Sequence, residues 1–133
     1  MIKQDTIHIL LAGREPDSFA ALNRELGKDQ RLRVTKVYSA EHSQKTIREG
    51  SVDVVVVADE LQDKNGLQFV REIVADHPFI NCALVSPLYP QEFHEQTEGL
   101  GLFMQLPVNP GPEAARHMLA MLEKLNQLHK PTD

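Results

Sequence analysis

"VDVVVVADELQDKNGLQFVREI", residues 52–73, decides the fold. The run from Val54 to Ala58 is too short for a helix and too continuous for a strand with one wet face. It suits a strand covered by helices on both sides. Asp59, Glu60 and the Asn65-Gly66 pair then mark a turn. After them "GLQFVREIVADHP" (66–78) sets Leu67, Val70, Ile73 and Val74 on one helical face and ends against Pro78. A buried strand that passes through a short loop into an amphipathic helix is the first half of a parallel crossover.

The same alternation runs outward in both directions. Strand candidates are "IHILLA" (7–12), "LRVTKVY" (32–38), "VDVVVVA" (52–58), "NCALVS" (81–86) and "LFMQL" (102–106). The second mixes in polar residues and suits a sheet edge. After Pro16, a residue suited to a helix's first turn, "DSFAALNREL" places Phe19, Leu22 and Leu26 at i, i+3 and i+7 before Gly27. "PEAARHMLAMLEKLNQL" stacks Ala115, Met118, Leu119, Leu122 and Leu125, whereas "SAEHSQKTIREG" and "YPQEFHEQTE" are weaker helices with few apolar anchors. Five strand–helix units imply an α/β domain with a parallel, doubly wound sheet and right-handed crossovers. Its functional crevice is expected at the carboxyl ends of the strands. Those tips are Ala12-Gly13-Arg14, Ala58-Asp59-Glu60, Ser86-Pro87 and Leu106-Pro107.

Composition narrows the function classes. A chain of 133 residues fits a single domain, 1–133, with a core over about 7–127. The net charge of −5 and the scattered Lys and Arg argue against nucleic acid as a partner. No apolar run approaches a membrane span, and the single Cys82 excludes an internal disulfide, so a cytoplasmic location is expected. Cys82 lies in the apolar run "FINCALVS" and reads as a buried structural thiol. The six histidines show no ligand-like spacing, "EFHE" (92–95) reads as a solvated helix face, and no phosphate-binding glycine loop is present. No nucleophile–base pair stands out, so no enzyme activity, metal or other cofactor is expected.

Taken in order, "ILLAGREPD", "DVVVVADELQDKNGLQFVREI", "ALVSP" and "GLGLFMQLP" resemble the successive signature stretches of the response-regulator receiver domain over roughly residues 7–127. That resemblance implies the flavodoxin-like, CheY-like fold, with strand order 2-1-3-4-5. It also implies a pocket in which an acid pair holds Mg²⁺, an Asp accepts a phosphoryl group, and a Thr or Ser and a Lys hold its oxygens. Local anchors place the acid pair at Gly13 and Arg14, the acceptor at Ala58, the hydroxyl at Ser86, the aromatic switch at Phe103 and the Lys at Leu106. Only the hydroxyl and the aromatic are kept. Asp59 is one residue past the acceptor position, and neighbouring strand residues point to opposite faces.

The resemblance thus implies an atypical receiver, a protein-interaction module of two-component (phosphorelay) signalling that works without phosphorylation. Two alternatives stay open: a phosphoacceptor that uses Asp59, or a sensor of small anions or nucleotides built from Arg14, the following helix N-terminus and Ser86. A salt bridge from Arg14 to Asp59 or Glu60 is the plainer expectation for the altered pocket. The last helix carries Ala114, Met121 and Leu128 beyond its core stripe. With Phe93, Phe103, Met104 and Met118 they mark the face of the fourth helix, fifth strand and fifth helix as the expected surface for a signalling partner or a second copy.

Overall fold

The computed structural model describes residues 6–125. Five strands and five helices alternate: β1 (Ile7–Ala12), α1 (Ala20–Leu26), β2 (Leu32–Val37), α2 (Ala40–Glu49), β3 (Val54–Val57), α3 (Gly66–Asp76), β4 (Asn81–Val85), α4 (Pro90–Gln96), β5 (Met104–Leu106) and α5 (Pro112–Lys124). The strands form one parallel sheet in the order β2-β1-β3-β4-β5, with Ile9 beside Val54 and Val57 beside Leu84. β1 and β3 are central and buried along their whole length, which is why their sequences carry no polar alternation. β2 is an edge, and only Val37 of its six residues is buried.

Alternating side chains feed two cores. Ile7, Ile9, Leu11, Val54 and Val56 pack with Phe19, Leu22, Leu26, Met118 and Leu122 on the α1–α5 side. Leu10, Ala12, Val55 and Val57 pack with Ile47, Phe69, Val70, Ile73 and Phe93 on the α2–α3–α4 side. Cys82 belongs to the second core, and burial pushes its thiol up to about 12.

Element ends differ from the sequence reading where local chemistry intervenes. α1 starts at Ala20, because residues 16–19 form a turn in which the Ser18 Oγ accepts the N–H groups of Arg14 (3.1 Å) and Glu15 (2.8 Å). Pro16 therefore lies in that turn rather than in the helix. Phe69, outside the four-residue stripe read from the sequence, is fully buried, whereas Leu67 and Val74 are only partly covered. α2 gains its start from Ser39, whose side chain accepts the His42 N–H, and it buries Ala40, Ser43 and Ile47 at i, i+3 and i+7.

Candidate functional site

The strand tips open into a cleft of about 460 Å³. Arg14, Glu15, Asp17, Ser18 and Phe19 come from the β1–α1 connection, Ala58, Asp59 and Glu60 from the β3 tip, Val85 from β4, and Val108, Asn109 and Pro110 from the β5–α5 loop. Backbone bonds hold its floor: the Gly13 N–H donates to the Val37 carbonyl and the Ala58 N–H to the Ala12 carbonyl, each at 2.9 Å. Four carboxylates line the cleft against one guanidinium, so its field is negative.

The structure gives each altered pocket position a physical setting. A Cβ on Gly13 would lie 2.6 Å from the Ser18 Cβ, so the backbone there leaves no space for a carboxylate side chain. Ala58 is buried against the α1–α5 core. Leu106 has no exposed surface and belongs to the same core, so the position is hydrocarbon-packed on all sides. Asp59 and Glu60 are exposed at the cleft rim. The acid pair that holds Mg²⁺ in phosphoaccepting receivers does not fit the two residues at its place: Gly13 offers no side-chain oxygen and Arg14 brings a positive charge. Among the described residues no cluster of three or more His, Cys, Asp and Glu side chains is arranged to hold a metal ion.

Ser86 stands apart from the cleft. It lines a neighbouring depression of about 400 Å³ with Pro87, Leu88, Pro90, Gln105, Pro107 and Val108. Its Oγ accepts the Leu88 N–H at 3.2 Å, and the Gln105 amide donates to the Ser86 and Leu88 carbonyls at 3.2 and 2.8 Å. Phe103 is half-buried against the α1–α5 core. The anion cradle expected around Arg14 is therefore not assembled. Ser86 faces another depression, and Ser18 already takes the Arg14 and Glu15 amides.

The expected Arg14 salt bridge is also replaced by something else. Among the described residues Arg14 forms no ion pair with Asp59 or Glu60. The loops are tied instead through the β3–α3 connection, by two side chains that sequence reasoning missed. The Gln62 side chain donates to the Arg14 carbonyl at 3.1 Å, and its N–H donates to the Tyr38 carbonyl at 3.0 Å. The Asp63 carboxylate accepts the first two amides of α2, Ala40 at 2.7 Å and Glu41 at 3.1 Å. Desolvation raises the Asp63 pKa, but these amides outweigh it and hold the carboxyl below its ordinary value. Asn65 caps α3 by accepting the Gln68 N–H at 3.1 Å. Gly66 is required next to it, because a Cβ there would lie 2.0 Å from the Ala58 carbonyl oxygen. The Asn-Gly pair thus clamps the helix start onto the strand tip.

On the α4–β5–α5 side, burial reassigns several residues. Phe93, Met104, Met118 and Ala114 are buried and serve the two cores, which removes them from any contact surface. Phe103 and Met121 keep partial exposure, and Leu128 lies outside the described residues. The large apolar side chains that do face outward on these elements and their connections are Tyr89, 78% exposed, and Val108 at the strand-tip end and Leu125 at the far end of α5.

No protein-family model matches the sequence, and no curated protein sequence matches it. Solved structures do. The signal receiver domain of an HD domain-containing protein from Pseudomonas fluorescens Pf-5 superposes with a TM-score of 0.76 at 16% identity, covering 95% of this chain and 91% of that one. The chemotaxis response regulator CheY4 of Vibrio cholerae gives 0.74 at 14% identity over 86% of this chain and 97% of its own. A putative pilus assembly-related protein from Burkholderia pseudomallei gives 0.70 at 21% identity over 99% and 98%. At these identities the likeness speaks for the fold. Among the described residues no helix is long and apolar enough to cross a membrane. The strand order, the four helical crossovers and these superpositions agree: the chain has the fold of the response-regulator receiver domains.

Proposed function

We propose that this chain is a receiver-fold module of two-component signalling that acts through protein contacts and has no phosphoryl chemistry of its own. The observation that carries this reading is the closure of the chemical positions. Gly13 is backed by Ser18, Ala58 is an aliphatic stub against the core, and Leu106 is wholly enclosed. In the receivers that this chain resembles, phosphoryl transfer uses a carboxylate for a dication at the position of Gly13 and a cation for the developing charge at the position of Leu106, and neither residue carries one. The loops around the cleft are meanwhile held by neutral and capping hydrogen bonds from Gln62, Asp63 and Gln105. Such a module holds one surface by packing, or changes it when a partner binds one state better than another. Tyr89, Val108 and partly exposed Met121 supply apolar contact area near α4, β5 and α5 for a protein partner or a second copy.

Two measurements test the reading together. Millimolar Mg²⁺ should leave the amide signals of residues 13–15 and 58–60 in place. Partner capture from the native lysate should survive Asp59→Asn and be lost in a Tyr89→Ser/Met121→Glu double variant that remains folded. Shifted amides in the first experiment, or capture that depends on Asp59, would argue for an active phosphoacceptor.

A further inference from the structure

At the end of the sheet opposite the cleft, three ionisable side chains lie abreast on the α2–α3 face. Arg33 on β2 pairs in register with His8 on β1, and Asp53 leads into β3 on the other side. The Asp53 N–H donates to the His8 carbonyl and the Asp53 carboxylate accepts the His8 N–H, both at 2.9 Å. His8 is 6% exposed and is the only buried histidine among the described residues. Its Nε2 lies 2.8 Å from the Thr35 hydroxyl, which can donate or accept and so serves any protonation state.

Nδ1 is different, because it stands between two partners of opposite kind. The Arg33 guanidinium, 3.0 Å away, can only donate, and the Ser51 carbonyl, 3.2 Å away, can only accept. A bare Nδ1 lone pair accepts from Arg33 and leaves Ser51 unserved; a protonated Nδ1 donates to Ser51 and repels Arg33. One nitrogen cannot satisfy both. We propose that His8 is a proton-operated switch, in which uptake of a solvent proton on Nδ1 hands the ring from Arg33 to the Ser51 carbonyl and releases the Arg33 guanidinium at the β2 edge.

Arg33 and Asp53 are the charged groups whose fields reach the ring. α2 covers this face, but its Glu41, His42, Lys45, Arg48 and Glu49 are exposed, and His77 beyond α3 pairs with Gln44 of α2. Burial first, and then the Arg33 charge, hold the ring below its ordinary 6.5, against the upward pull of Ser51 and Asp53. His8 is therefore neutral at pH 7, and the switch operates on the acid side. A folded-state value below the unfolded one means that the ring's contribution to stability is present above 6.5 and is lost as pH falls through the folded midpoint. The released Arg33 adds a free, mobile cation beside an unpaired strand edge, where a change of partner preference would be felt.

The test is an NMR pH titration of the full chain that follows the His8 ring carbons and the Arg33 Nε–H signal. The two should move with one midpoint, below 6.5. Arg33→Gln, a change at an exposed site, should raise the His8 midpoint by roughly half a unit or more, and Asp53→Asn should lower it. An Arg33 signal that stays fixed while His8 titrates overturns the proposal. So does a His8 midpoint unchanged in Arg33→Gln, or a ring that stays neutral until the chain unfolds.

Discussion

Single residues with steric or capping duties set the geometry of the strand tips. Gly66 has the tightest constraint, since any Cβ there meets the Ala58 carbonyl oxygen at 2.0 Å. Gly66→Ala should cost about 3 kcal/mol, read as a lower urea midpoint at unchanged slope. Asp63 acts through charge. Its folded pKa lies below the ordinary 3.8, so its contribution is complete above that value and is lost as pH falls through the folded one. Asp63→Ala should remove about 1 kcal/mol at neutral pH, as the loss of a helix cap does. Stability curves of the variant and the parent should converge as pH falls below 3.8 through the folded-state value, and curves that stay parallel throughout the acid range would mean that the carboxylate is not the cap.

Among the elements, α5 separates core from surface most sharply. Met118 has no exposed area and sits among Phe19, Leu22 and Leu122, whereas Met121, three residues on, is partly exposed. Met118→Ala should cost about 3 kcal/mol as a cavity, and Met121→Glu should change stability by only about 0.5 kcal/mol. If the α5 surface meets a partner or a second copy, Met121→Glu alters sedimentation or capture while thermal unfolding stays where it was. Helical periodicity alone could not draw this line. Ala114 and Ala115 both turn inward because α5 is covered by the sheet and by α1 over more than one stripe. The start of α1 was hidden for another reason: Ser18 spends its hydroxyl on Arg14 and Glu15, and the chain turns once more before the helix begins.

At the scale of the molecule, the sheet was legible because central strands buried on both faces leave unbroken apolar runs such as Val54–Val57, while the β2 edge shows its polar residues. Of the positions implied by the receiver resemblance, Arg14, Ala58 and Asp59 line one cleft and Gly13 lies at its floor. The clamps were not legible. Gln62 reaches Arg14 across 48 positions, Asp63 reaches Ala40 across 23, and Gln105 reaches Ser86 across 19, and side-chain partners at such separations leave no periodic mark. Ser86 was expected at the pocket for its position on β4, but Gln105 and Leu88 hold its loop over the neighbouring depression. The proposed function leaves phosphoryl transfer out. Intact-mass measurement after incubation with acetyl phosphate and Mg²⁺ tests it most directly. The account predicts an unchanged mass, and a gain of about 80 Da that disappears in Asp59→Asn would contradict it.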